Sequence, residues 1–310
     1  MIDDEPDPAV RRRVLARQVA DESFRAPAAA VIVDLSARSK PAPGGAINED
    51  HFLVLRFGRQ QETLTTSLRA ADLPPTYDEH GYAMLVADGM GRGGAGALAS
   101  RMALATAARL SIAFGRWNLR IDDRTAAVVS ERLEWLYQRV EETLNFHGRS
   151  DPTLAGMGTT MTAAFSAGAD LFLAHVGHSR AYLYRDGELT QLTRDQTLAQ
   201  RLADQRGPAP INLLVQDPRH LLTDALGGVG AGRIVDVGRV RLRDDDYVVL
   251  ATDGLTAFVG DEDIADALGN RRTLDEQSEL LVDLAVHRGA TDDITVIIAR
   301  YGVPQDATPA

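Results

Sequence analysis

Between Thr159 and Leu192 the chain carries four short apolar segments in quick succession, TTMTAAFS, LFLAHVG, RAYLYRDG and ELTQL. No stretch between them is long enough for a crossover. A parallel return needs a dozen or more residues, so strands this close pair antiparallel. Asp186-Gly187 sits between two of them as a two-residue hairpin signal. Helical patterns come in pairs instead of one per strand. GALASRMALATAARL is a helix of small residues, and Val129, Leu133, Leu136, Val140 and Leu144 recur at helical spacing just after it. Antiparallel strands with paired helices predict an α+β layered fold, not a doubly wound parallel one.

The other segments extend this pattern. DHFLVLRFG and YAMLVAD are strands separated by a polar insertion from Arg59 to His80, and VDVGRVRL, YVVLAT and DITVIIARY are further strands. Thr273 followed by Glu276 is a capping box that opens a helix through Arg288. Ser36 to Ala46, SARSKPAPGGA, is predicted as a loop. Residues Arg194 to Leu222 lose periodicity and contain Gly207, Pro208, Pro210 and Pro218, which predicts an exposed segment. The expected organisation is an arm or peripheral helix over residues 1–30, with Arg11, Arg12, Arg13 and Arg17. One domain over 31–302 and a disordered tail over 303–310 follow. No internal repeat or domain linker is evident.

Charge and cysteine count narrow the chemistry. The chain has no cysteine, which excludes disulfides and thiolate metal sites and fits a reducing compartment. With 33 basic and 44 acidic residues among 310, the net charge is -11, and no basic patch offsets it. A polyanion such as nucleic acid would be repelled. The N-terminus, MIDDEPDP, lacks the order of a signal peptide, and no apolar run approaches the roughly 20 residues that span a bilayer. The expectation is a cytoplasmic protein with no membrane partner.

YAMLVADG and YVVLATDG share one design, an apolar strand ending in Asp-Gly. Asp88 and Asp253 therefore stand where a rigid strand can present a carboxylate, and Gly89 and Gly254 let backbone approach closely. Asp-Gly taken singly is more often just a turn. More acids flank other strands, Glu49 and Asp50 before FLVLRF, and Asp292 and Asp293 before ITVIIARY. An all-oxygen set favours hard cations such as Mg²⁺ or Mn²⁺. Spacing alone leaves open whether these acids converge or are solvated loop carboxylates.

Taken in order, NEDHF, VADGMGRGGAGALAS, MGTTMTAAF, AHVGHSRAYLYRDGELTQLTRDQ, LATDGLT and TDDITVII resemble the metal-dependent type 2C (PPM-type) Ser/Thr protein phosphatases, the bacterial branch in particular. The resemblance runs from about Asn48 to Ile298. It implies a four-layer α/β/β/α sandwich of two antiparallel sheets flanked by helical pairs, with a flap over about 196–222. It also implies two Mn²⁺ or Mg²⁺ ions held by Glu49, Asp88, the Gly89 carbonyl, Asp253 and Asp292. Asp50 would orient metal-bound water from behind. The implied activity is hydrolysis of phosphoserine and phosphothreonine in proteins by a metal-bound hydroxide, in a signal-transduction setting opposite a Ser/Thr kinase. The default is a monomer.

Several positions depart from the family pattern. The arginine usual before Asn-Glu-Asp is absent and Gly45 stands there. Arg92, after DGMG, is the candidate replacement for phosphate contact, with Lys40 a weaker one. The family's Gly-Asp-Ser-Arg appears as Gly177-His178-Ser179-Arg180, which makes His178 the candidate for a third metal position. It suits Mn²⁺ better than Mg²⁺. Thr256, Ala257 and Phe258 stand where an acid is usual, and Met90 leaves no histidine beside Asp88-Gly89 as general acid. His175 shares a strand face with Leu171 and Leu173 and is expected to be a satisfied core histidine.

Gly89, Gly91 and Gly94 also fit a dinucleotide fingerprint, but no acid follows on a second parallel strand. GHSRA around Ser179 lacks the second glycine and the helix of a nucleophile elbow. The stronger alternative is a pseudophosphatase acting as a regulatory or binding module, which Gly45, His178 and Ala257 favour. Retention of all four primary acids and Gly89 opposes it, because a purely structural domain has no reason to gather uncompensated acids.

Overall fold

A computed structural model describes residues 31–45, 47–69, 77–113, 123–204, 220–228, 235–270 and 272–304. The arm over 1–30, residues 205–219 and the tail from 305 lie outside the described residues.

Among the described residues twelve strands form two antiparallel sheets. The first has the order β1 (Ile32–Lys40), β12 (Ile294–Gly302), β11 (Asp246–Ala251), β7 (Arg180–Arg185), β8 (Glu188–Gln191). The second runs β10 (Asp236–Arg241), β6 (Asp170–Val176), β5 (Met161–Ala167), β3 (Tyr77–Met90), β4 (Gly158–Thr159), β9 (Leu226–Gly227), with β2 (Asp50–Gln61) also paired to β3. The predicted hairpin joins β7 to β8, and Asp186 and Gly187 take φ of 53° and 88°, as a tight two-residue turn requires.

Strand alternation makes the layers. On β3, Met84 and Val86 face the other sheet while Leu85 and Ala87 face a helix pair, α1 (Ala95–Ala113) and α2 (Asp123–Ser150). On β12, Ile297, Ala299 and Tyr301 fill the space between sheets. Val296 and Ile298 point outward to a second pair, α5 (Asp261–Gly269) and α6 (Leu274–His287). Strands covered on both faces read as unbroken apolar runs, and that is how they appear in the sequence. Ala99, Ala103 and Ala107, one turn apart, let α1 lie close on its sheet. The capping box at α6 forms, with Thr273 Oγ1 accepting from Glu276 N at 3.3 Å and Glu276 Oε2 accepting from Thr273 N at 2.8 Å.

Several boundaries differ from the sequence expectation. Ser36 to Lys40 is not loop but the second half of β1, paired along its length with β12. Its polar side chains bond across to α6 and β12: Ser36 Oγ lies 2.9 Å from Ser278 Oγ, and Ser39 Oγ 2.8 Å from Thr295 Oγ1. Buried polar partners, not apolar residues, cover that face, so hydropathy alone missed the strand. The Arg59–His80 insertion is shorter than expected, because β2 and β3 stay paired as far as Gln61 and Tyr77. Within Arg194–Leu222, Leu198–Asp204 forms a short helix, α3, and Thr197 is buried and bridges to Leu222. That stretch is tied down at both ends, not exposed throughout. Val303, placed in the tail, is buried, and its N–H donates to Asp244 Oδ1 at 3.0 Å.

Candidate metal centre

The candidate acids meet where β2 begins, β3 ends, β11 turns into a one-turn helix, α4 (Asp253–Thr256), and β12 begins. Asp50 and Asp88 stand directly opposite each other on β2 and β3. Asp88 is locked by its backbone: its N–H donates to Thr160 Oγ1 at 3.1 Å, and its carbonyl accepts from Thr160 N at 2.9 Å and Thr159 Oγ1 at 2.8 Å. Gly89 N donates to the Glu49 carbonyl at 3.1 Å. A Cβ on Gly89 would lie 2.1 Å from the Gly96 oxygen, so only glycine lets α1 start here. Gly254 is equally constrained, since its Cβ would fall 1.9 Å from the Asp293 carbonyl.

Glu49 comes from outside the β2 strand and is held by Asp293 and by helix α1. Asp293 Oδ2 accepts its N–H at 2.6 Å, across 244 positions of sequence. Ser100 Oγ donates to its carbonyl at 2.6 Å, and the backbone N–H groups of Ala97 and Gly96 in the first turn of α1 reach its carboxylate. First-turn amides have no partner within the helix and favour negative charge. Asp293 also accepts from Ala42 N at 2.7 Å, so its carboxylate clamps the loop before Glu49. Asp50 is buried and receives the Thr252 hydroxyl at 2.7 Å; Thr252 Oγ1 in turn accepts from Thr295 N at 3.0 Å. That one hydroxyl ties β2 to the first sheet.

Asp253 is the first residue of α4, two positions beyond β11. His178, the candidate for a third metal position, lies between Asp88 and Asp253. Its Nε2 is 3.4 Å from Asp253 Oδ2 and its Nδ1 is 3.8 Å from Asp88 Oδ2. His220, which the sequence offered no reason to single out, reaches Asp253 Oδ2 with Nδ1 at 3.3 Å from the solvent side. Beside them opens a cleft of about 350 Å³ lined by His178, Arg180, Asp195, Thr197, His220 and Asp253 among others. Arg180 holds Asp195 through both carboxylate oxygens at 2.7–3.2 Å, which shapes one wall.

The electrostatics call for a positive counter-charge. Burial first, then repulsion from Asp50, Asp253, Asp292 and Asp293, holds the Asp88 carboxyl well above its ordinary 3.8. Burial raises Asp50 well above 3.8 too, against the stabilising hydroxyls of Thr252 and Thr295. Glu49 is raised by burial, despite its helix amides, with Asp293 and Asp292 adding repulsion. Asp292, at the exposed rim, is raised by desolvation and then by Asp253 and Asp293. Among the described residues no lysine or arginine ion-pairs with Glu49, Asp50, Asp88, Asp253 or Asp292. Divalent cations are the charge that fits this donor set, hard oxygen ligands with one imidazole beside them.

Other candidates fall elsewhere. Arg92 is exposed on the turn between β3 and α1. Lys40 pairs with Asp283 on α6 at 3.7 Å, and Gly45 lies in an exposed turn whose N–H donates to Ala42 O at 2.8 Å. His175 is a core histidine as expected, with Nδ1 2.8 Å from Thr162 Oγ1 and Nε2 3.1 Å from the Arg194 carbonyl. Ser179 is buried against Thr160 and cannot act as a nucleophile on a solvent-borne substrate. Thr252 carries no local signal in the sequence, and Asp293, named there among the flanking acids, has no role that spacing could assign; their contacts exist only across strands.

Residues 76–285 match the family model described as protein phosphatase 2C. That range contains Asp88, His178 and Asp253; Glu49 and Asp292 flank it. The serine/threonine protein phosphatase PstP of Mycobacterium tuberculosis is 34% identical over 216 residues, which are 70% of this chain and 40% of that protein. The chain thus spans well under half the length of its mycobacterial relatives. The serine/threonine phosphatase stp of Listeria monocytogenes is 32% identical over 231 residues, 73% of this chain and 87% of that protein. Among solved structures, the M. tuberculosis phosphatase PstP/Ppp superposes with a TM-score of 0.66 at 30% identity, over 86% of this chain and 98% of that one. The PstP catalytic domain in complex with two manganese ions gives 0.66 at 30% identity over 88% and 100%. With the family model covering two thirds of the sequence and both sheets in agreement, the chain belongs to the protein phosphatase 2C family.

Proposed function

We propose that this chain is a metal-dependent phosphoprotein phosphatase that hydrolyses phosphoserine and phosphothreonine. In this reading Glu49, Asp88, the Gly89 carbonyl, Asp253 and Asp292 hold two divalent ions, Mn²⁺ or Mg²⁺. The observation that carries it is the meeting of these acids, from four separate elements, without a basic partner among the described residues. Buried carboxylates gathered this way are costly unless a cation uses them. The solved relative with two manganese ions supports the dinuclear count.

When bound, such ions lower the pKa of water so that it attacks near neutral pH, and they neutralise the phosphoryl oxygens. The chain's part is positioning. In this reading Asp50, which accepts the Thr252 hydroxyl, orients the attacking water. The Asp293 clamp and the α1 amides keep Glu49 in place as charge shifts. The cleft beside Asp253 is wide enough to take the residues flanking a phosphorylated side chain. Arg92 is the proposed phosphate contact.

No helix among the described residues is long and apolar enough to cross a membrane. We read the protein as a cytoplasmic, monomeric signalling enzyme acting on the product of a Ser/Thr kinase. The test is turnover of a phosphopeptide or aryl phosphate by the purified full chain with Mn²⁺ or Mg²⁺, abolished by chelator. A folded protein inert with both ions would leave only the regulatory-module alternative. Arg92→Ala is expected to raise KM far more than it lowers kcat; an unchanged KM would return Arg92 to the exposed turn without a role.

A further inference from the structure

His178 presents an unexplained buried group. Its side chain is more than nine-tenths buried, and its Nδ1 has no hydrogen-bond partner. Buried ring nitrogens are almost always satisfied, so an orphan one calls for a reason. Its neighbours are two carboxylates, Asp88 at 3.8 Å and Asp253 at 3.4 Å. Both separations are too long or too marginal for the strong hydrogen bonds an imidazolium would make with them. One ligand atom from each of Asp88, His178 and Asp253 lies within 4.8 Å of the others. That is the spacing of groups arranged around an ion, not of groups bonded to each other. From the opposite side His220 brings a second imidazole to the same Asp253 oxygen at 3.3 Å.

We propose that His178, with Asp88 and Asp253, forms a nitrogen-bearing position in this centre that takes a borderline transition ion of the Fe²⁺, Co²⁺ or Zn²⁺ class in preference to Mg²⁺, with His220 as an auxiliary donor. The proposal rests on the phosphatase reading only in using Asp88 and Asp253 as ligands. Imidazole suits zinc, iron and nickel, whereas Mg²⁺ demands oxygen and keeps its waters. A histidine where an acid is usual therefore changes which ion the position holds, not merely how tightly.

Zn²⁺ alone is the probe, added to the metal-free full chain with histidine rings labelled with ¹⁵N. Zn²⁺ is expected to move the ring signals of His178, assigned by their loss in His178→Ala, and more weakly those of His220. Mg²⁺ in tenfold excess should neither reproduce nor reverse the shift. His175, buried and bonded to Thr162, serves as the internal report that each variant is folded. By calorimetry His178→Ala should weaken Zn²⁺ binding by more than the roughly 10–100-fold that loss of a ligand's outer partner costs and leave Mg²⁺ binding unchanged, while His178→Asp should narrow the gap between the two ions. Zn²⁺ binding that leaves the His178 ring unmoved, or that survives His178→Ala at full affinity, overturns the proposal, as does absence of any Zn²⁺ binding. Turnover with Mn²⁺ and no engagement of His178 would refute this inference alone. Engagement of His178 with no turnover under any ion would refute the phosphatase reading alone.

Discussion

Replacing Thr252 by valine tests whether one hydroxyl joins the two halves of the centre. The side chain is fully buried, and valine keeps its shape, so no cavity forms. Two interactions are lost. Thr295 N, which donates to Thr252 Oγ1 at 3.0 Å, becomes a buried N–H without a partner, at about 1–3 kcal/mol. Asp50 loses the hydroxyl that donates to it at 2.7 Å, worth roughly 1 kcal/mol while Asp50 keeps its proton and about 1.5–3 kcal/mol once it is ionised. Burial raises the Asp50 carboxyl, so without metal the smaller figure applies wherever the pH lies below that raised value. The expected loss is then about 2–4 kcal/mol in chelator, and larger with Mn²⁺ present, where Asp50 is charged. Urea unfolding followed by tryptophan fluorescence, with chelator and with saturating Mn²⁺, measures both. Thr252→Ser keeps the hydroxyl and loses one methyl, about 1 kcal/mol. If valine cost no more than serine, or the loss did not grow with Mn²⁺, the bridging role would be wrong.

Two further predictions concern charge. Asp88→Asn is expected to abolish metal-dependent turnover yet stabilise the metal-free protein at neutral pH. A carboxyl raised above 3.8 favours the folded state fully below that value, and this contribution is lost as pH rises through the folded pKa, so the wild-type chain carries the cost at pH 7. Chelator-treated thermal melts of both proteins across pH check this; equal stability at pH 7 would contradict it. His175 behaves oppositely, because burial lowers it from 6.5 to about 4. Its contribution is intact above pH 6.5 and is lost as pH falls to about 4, on the order of 3 kcal/mol at the low end. His175→Gln should flatten that part of the pH–stability profile, read by urea midpoints at fixed ionic strength.

The layered α+β class, the hairpin at Asp186-Gly187, the α6 cap and most strands were legible because they depend on neighbours in sequence. Alternation, turn conformations and first-turn hydrogen bonds act over a few residues. The same locality explains why Ser36–Lys40 was not seen as strand. Its polar side chains are satisfied by Ser278 and Thr295, far along the chain. Likewise Leu198–Asp204 is short and, among the described residues, lacks the buried apolar face that marks a helix.

The sequence alone marked Asp88 and Asp253 as candidates to serve a metal and showed where glycine was needed, since Asp-Gly after an apolar strand carries its own chemistry. Only the tertiary structure decided that Asp50 faces Asp88, that Asp293 clamps Glu49, and that Thr252 bonds Asp50. It also decided that His178 lies between Asp88 and Asp253 with His220 at hand. Each of these depends on strand register and on how two sheets pack. A register shift of one residue would turn those side chains to the opposite face, and no local pattern in the chain encodes which acids then meet.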